Sequence, residues 1–124
     1  DKFVVDNATG LMWHQSGSDD SMEWDEAKEW VEDLNSEEGY AGYNDWRLPT
    51  ADEAVSLLES SQKNGDLYID QAFSKEQEEI WTGDKSDYVW EDGLEAAWGV
   101  YFGGDGGVDG DCRNHHVRPV RSVK

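Results

Sequence analysis

The chain has 124 residues, with 29 Asp and Glu against 10 Lys and Arg, a formal net charge of −19. That length fits one domain over residues 1–124 and is too short for two well-stabilised halves. The charge repels phosphate backbones and anionic headgroups, so it argues against nucleic-acid binding and polybasic membrane attachment and suits basic partners better.

No run approaches the roughly 20 apolar residues of a membrane span, so membrane insertion is not expected. The first seven residues lack signal-peptide character, which leaves a mature form or a domain cut from a longer chain. Cys112 is the only cysteine, which rules out an intrachain disulfide and leaves the compartment unread. Seven Trp, five Tyr and three Phe predict a Trp-centred core.

Residues Phe3 to Trp13 read as strand, Asn/Gly turn and strand, an N-terminal hairpin. From Trp24, the apolar residues Trp24, Ala27, Val31 and Leu34 recur at helical spacing, predicting an amphipathic helix that ends between Asn35 and Gly39. Between Asp19 and Glu38, Lys28 is the only base among ten carboxylates, a pattern that reads as a solvated face. Thr50 and Glu53 have the spacing of a capping box, which predicts a second helix with Ala54, Leu57 and Leu58 inward, ending between Ser60 and Asn64.

Residues Gln62 to Glu79 form a polar connection anchored by Leu67, Ile69 and Phe73. Strands are then expected at Ile80–Thr82, Ala96–Phe102 and Val117–Val123, separated by Gly/Asp loops. Hairpin, two helices and later strands make an α+β order without the alternation of a doubly wound sheet.

Across these elements, a colinear series of motifs resembles the family named for the C-terminal domain of the Legionella collagen-like protein. The series starts with Asp6-Asn7-Ala8-Thr9-Gly10-Leu11-Met12-Trp13 and continues with Trp24 and Glu26-Ala27, then Trp46-Arg47-Leu48-Pro49-Thr50 with Glu53. Trp81-Thr82, Ala97-Trp98 with Val100 and Phe102, Gly106 with Val108, and Val117-Arg118 with Val120-Arg121 complete it. The resemblance spans nearly the whole chain. It implies a C-type-lectin-like fold in which N- and C-terminal strands pair, two helices flank, and a loop-rich small sheet carries the ligand surface. It also implies framework positions at Trp98, Val100, Phe102, Gly106 and Val108, and core packing for Trp13, Trp46, Trp81 and Trp98.

Arg47-Leu48-Pro49-Thr50 also resembles the formylglycine-generating branch of that fold, whose enzymes rely on a reactive cysteine pair. With Cys112 alone, that activity is not expected. There is no Gly-x-Ser-x-Gly elbow either, and Cys112 lacks a defined base, so the chain reads as a binding module and not as an enzyme.

Similar proteins serve as bacterial surface proteins and adhesins, or as variable proteins of diversity-generating retroelements. The latter mutate template adenines, so Asn codons become codons for residues such as Asp, Gly, His, Arg, Ser, Cys and Tyr. Gly103 to His116 contain only residues this allows, including the only Cys and two of the three His. An ordinary Gly/Asp turn has much the same composition, because turns favour residues that tolerate positive φ. Both readings stand at this stage.

The expected ligand contacts are Tyr101, Asp109, Asp111, Arg113, Asn114, His115 and His116, with Tyr88 and Trp90 as neighbours in a charged loop running from Asp84 to Glu95. Arg113 offers a planar fork suited to carboxylate, sulfate or phosphate. Asp105, Asp109 and Asp111 could serve calcium, but they match no known calcium loop, and no cofactor is expected. Cys112, His115 and His116 resemble a metal cluster only by residue type. Arg118 and Arg121 are expected to pair with carboxylates at the core edge.

The function these readings predict is a receptor- or adhesin-type module that displays a variable C-terminal surface to a protein or glycan on a cell or virion, in an extracellular, cell-surface or virion-surface setting. Two alternatives are a formylglycine-generating-like domain and a trimerising cap of a surface fibre. Oligomeric state is not written in the chain.

Overall fold

The computed structural model describes residues 2–59, 62–93, 95–103, 107–110 and 113–123. Within them the chain forms the expected α+β architecture, with two helices and two three-stranded antiparallel sheets.

The hairpin β1 (Phe3–Asp6) and β2 (Leu11–His14) pairs Val4 with Trp13, and Gly10 takes a positive φ of 73° in the turn, where a side chain would be strained. The C-terminal strand β6 (Val120–Ser122) pairs with β2 and gives the order β1-β2-β6, so the two ends of the sequence meet in one sheet.

Helix α1 (Trp24–Asn35) runs as its apolar spacing requires, with Ala27 and Val31 buried. The Glu23 N–H donates to the Glu26 carboxylate at 3.0 Å, satisfying one of the free donors at the helix start. At the other end Asn35 grips Trp46 twice. It accepts from the Trp46 N–H at 2.9 Å and donates to its carbonyl at 2.7 Å, which seats the indole in the interior.

Helix α2 (Ala51–Val55) has the expected capping box, with the Glu53 N–H donating to the Thr50 hydroxyl at 3.1 Å and the Thr50 N–H to the Glu53 carboxylate at 2.9 Å. It is shorter than its periodicity predicts. The Ser56 hydroxyl donates to the Glu53 carbonyl, and Leu57 and Leu58 form tight three-residue bonds to Ala54 and Val55. The turn drops Leu57 into the core instead of extending the helix.

The second sheet has the order β3-β4-β5, from β3 (Glu79–Val89), β4 (Glu95–Tyr101) and β5 (Gly107–Asp109). Two features differ from the sequence reading. β3 runs through Gly83 to Val89, where a loop was expected, with register shifts on either side of Lys85. β5 lies in what reads as a Gly/Asp loop, paired through Val100↔Val108. Irregular pairing hides the two-residue period by which a strand is recognised.

Two clusters form the interior. One joins Leu11, Trp13, Leu57, Ile69, Phe73 and Phe102 among others, so the three apolar anchors of the 62–79 connection are all used. The other packs Ala27 and Val31 against Trp81, Ala97 and Val117. Fully burying a side chain such as Phe102 contributes about 2–3 kcal/mol relative to leaving it in water.

Arg121 meets the expectation of a carboxylate partner, with Nε 2.6 Å from Asp45. Arg118 does not. It is fully buried, donates to the main-chain carbonyls of Gln15 (2.6 Å) and Ser74 (3.2 Å), and lies over the Phe73 ring. Burial lowers its pKa to about 9, so it remains cationic at neutral pH with carbonyl dipoles and a ring face in place of a carboxylate.

His14, at the end of β2, is stacked on Tyr40 with ring centroids 4.2 Å apart and has Trp30 and Trp46 at its edges. Its Nδ1 accepts the Gly17 N–H at 2.9 Å, and burial, assisted by the charge of Arg118, pushes its pKa down to about 4.

Candidate functional site

The β3–β4 hairpin projects its far end beyond the core. Tyr88 is the penultimate residue of β3 and is 43% exposed. Trp90 follows in the turn that the Gly93 N–H closes onto the Trp90 carbonyl. The two rings meet edge to face with centroids 4.9 Å apart, an arrangement the aromatic quadrupole favours.

Arg113 comes to this corner from the segment after β5. Its Nε donates to Glu23 and one terminal nitrogen donates to Asp92, both at 2.6 Å, while its guanidinium carbon lies 5.3 Å from the Trp90 ring centroid. These hydrogen bonds, the one to Asp92 foremost, raise the Arg113 pKa. Arg113 thus pins the C-terminal segment to the start of α1 and to the hairpin turn. A second tie comes from the Ser86 hydroxyl, which donates to the Gly110 carbonyl at 2.6 Å.

Around this corner lies an open cavity of about 380 Å³, lined by Tyr88, Trp90, Glu91, Asp92 and Arg113. A much smaller gap of about 10 Å³, lined by Glu23, Trp24, Trp81, Trp90 and Arg113 among others, shares Trp90 and Arg113 with it. Another cavity, of about 290 Å³, lies between β1, the turn after α2 and Phe73. Its carboxylates are engaged within the chain, since Asp6 and Asp70 accept the Ala8 and Ala72 N–H groups and Glu59 pairs with Lys63. The Tyr88–Trp90 corner adds a pair of rings, one of them exposed, and the exposed Glu91, and is the stronger candidate.

The expected contact residues divide by place. Tyr88, Trp90 and Arg113 come together, and Asn114 is exposed next to them in sequence. Tyr101 is exposed but at the opposite end of β4 from Glu95, roughly 20 Å away by strand rise, so it does not share this corner. Asp109 is the last residue of β5, with its backbone opposite Gly99. Asp105, Gly106, Asp111 and Cys112 lie outside the described residues, and so does the calcium reading built on Asp105 and Asp111. Among the described residues no group of three or more His, Cys, Asp or Glu is placed to hold a metal ion.

His115 is not at the surface. It is 2% exposed, its ring sits edge-on to Trp81 at 4.5 Å, and its main chain exchanges two hydrogen bonds with Met22. A Cβ at Gly99 would come within 2.3 Å of its Nε2, so Gly99 provides the room for this ring. His116 is partly buried, with its N–H bonded to the Glu79 carbonyl and Nδ1 3.9 Å from the Glu79 carboxylate. Burial raises the Glu79 pKa, and His116 opposes that rise.

Two framework expectations also change. Trp98 and Val108 are exposed, 39% and 55%, on the face of the sheet they share with Val100, and the Trp98 indole lies against Gly110. Trp13, Trp46 and Trp81 are buried as expected. Glu91 and Asp92 were expected only as the charged setting of Tyr88 and Trp90, and Glu23 was not expected at the site, because single acidic residues in so acidic a chain carry little signal.

A small α+β domain has emerged, its N-terminal hairpin joined by the C-terminal strand and its second sheet presenting an aromatic and charged corner. The chain belongs to the family of the Lcl C-terminal domain, whose profile matches residues 2–121. No curated protein matches it. Among the described residues, no helix is long and apolar enough to cross a membrane.

Proposed function

We propose that the chain is a ligand-binding module of receptor or adhesin type, displayed at a cell or virion surface, that engages a protein or glycan through the corner formed by Tyr88, Trp90 and Arg113. The observation that carries this reading is an edge-to-face aromatic pair, Tyr88 exposed and Trp90 half-buried, beside an open cavity of about 380 Å³ and held by ion pairs from Arg113 to two separate elements. Exposed aromatics held rigidly give contact area at little cost in conformational entropy and dominate many interfaces. Binding in this reading needs no chemical step.

The Lcl C-terminal family and the paired N- and C-terminal elements support it, and nothing in the architecture conflicts with a C-type-lectin-like fold. In the retroelement reading, substitutions would fall on exposed positions such as Asn114 and spare the buried His115.

The test is binding of the labelled domain to cells and to a glycan array, compared with Tyr88→Ala and Trp90→Ala. Loss of binding in both variants at unchanged melting temperature supports the reading. Undiminished binding in both places the contact surface elsewhere.

A further inference from the structure

Arg113 at the candidate corner suggests anion recognition, but two of its donors are already engaged by carboxylates. The Glu23 and Asp92 carboxylates each take a hydrogen bond at 2.6 Å, and the Trp90 ring lies alongside. An incoming sulfate or phosphate would have only the guanidinium donors that Glu23 and Asp92 leave over, and would meet the charge of both carboxylates beside it. Glu91 is also on the wall, exposed, and makes no ion pair among the described residues. The corner therefore sets one cation against three carboxylates, in a chain of net charge −19.

Arg113 also shows which chemistry this environment accepts, since it is itself a guanidinium held between carboxylates and an indole. The Tyr88 ring, 43% exposed, presents a second aromatic surface beside the same cavity. Aromatic faces attract cations through their quadrupole, and adjacent carboxylates strengthen that attraction. The overall negative field steers basic partners toward the surface and repels polyanions.

We propose that the Tyr88–Trp90 cavity receives an arginine or lysine side chain from a basic polypeptide segment, with the cation against the Tyr88 ring and hydrogen-bonded to Glu91 and Asp92. The inference rests on the binding reading above and names the partner's chemistry. The side chain seats without displacing Arg113, because Glu91 provides a carboxylate that Arg113 does not use.

The experiment is a two-dimensional NMR titration of the whole chain. It follows the Trp90 indole N–H, assigned by its disappearance in Trp90→Phe, during addition of N-acetyl-arginine methylamide, a hepta-arginine peptide or a heparin oligosaccharide. Both arginine probes are expected to shift the Trp90 signal, with affinity falling as salt rises from about 50 mM to about 500 mM. Heparin is expected to leave it in place.

Glu91→Gln should weaken hepta-arginine about threefold to fivefold, as expected for one exposed charge, and Tyr88→Ala by about tenfold. Glu91→Gln leaves the Arg113 ion pairs intact, so its effect is separable from unfolding. A heparin shift without an arginine shift would overturn the cationic assignment in favour of an anion site, and no shift with any probe would overturn it with no anion site in its place. If cell or glycan-array binding still needs Tyr88 and Trp90 in that case, the binding reading survives and the partner's chemistry is wrong. If that binding ignores both residues, the binding reading itself fails.

Discussion

Gly99→Ala would test whether His115 belongs to the framework or to the contact surface. The new methyl carbon would lie 2.3 Å from Nε2, 2.5 Å from Cδ2 and 3.1 Å from Cε1 of the His115 ring. Ordinary contact is near 3.5–4.0 Å, so ring or strand must move by about 1 Å. The ring has little freedom, with Trp81 at its edge and the His115 backbone clamped to Met22. Overpacking of this kind costs about 1–3 kcal/mol.

His115→Ala alone leaves a void beside Trp81 and should cost a similar amount. In the double variant the alanine methyl at 99 occupies space the imidazole has left, so the two costs should fall short of additivity by about 1 kcal/mol or more. Urea denaturation of the four proteins gives the cycle directly, and each 1 kcal/mol should move the melting temperature by about 3–5 °C at this size. Strict additivity would mean that the ring does not sit against Gly99, and would return His115 to the candidate contacts.

His14 predicts a specific acid sensitivity. Its folded pKa of about 4 lies below the ordinary 6.5, so its contribution is full above pH 6.5, declines as the unfolded chain takes up the proton, and is lost by pH 4. The loss is about 3 kcal/mol at most, and a stability profile of His14→Phe should lack that component. Arg118→Lys keeps the charge but cannot reproduce a fork that reaches both the Gln15 and Ser74 carbonyls. It should cost about 1–3 kcal/mol by denaturant titration, whereas an unchanged midpoint would show the fork to be dispensable. Thr50→Ala removes the acceptor for the Glu53 N–H and should cost about 1 kcal/mol, read as a shift in melting temperature.

The parts of the fold that show in the sequence are those with a regular period. The hairpin has alternating β-formers around an Asn/Gly turn, and α1 has its i, i+3, i+7 stripe ending at Asn35. α2 is overestimated because Leu57 and Leu58 continue the stripe after the backbone has turned. β5 is invisible, since three residues flanked by glycines look like a turn until Val100 is placed opposite Val108.

At the site, Tyr88 and Trp90 were legible as aromatics in a charged loop and Arg113 as one of few cations nearby, but their convergence depends on the bulged course of β3. The role of His115 was hidden by its polarity. Gly99 within an otherwise apolar strand was the available signal, because glycine there marks a close approach by another group. Arg118 was misread because buried arginines ordinarily find carboxylates, and this one is held by main-chain carbonyls that sequence cannot place.

The most direct test of the account compares Tyr88→Ala with His115→Ala for capture of the domain's partner on intact cells, with the melting temperature of each variant measured alongside. The account predicts that Tyr88→Ala abolishes capture with melting nearly unchanged, while His115→Ala lowers the melting temperature and retains capture below it. Retained capture with Tyr88→Ala, together with lost capture in a still-folded His115→Ala, would contradict it.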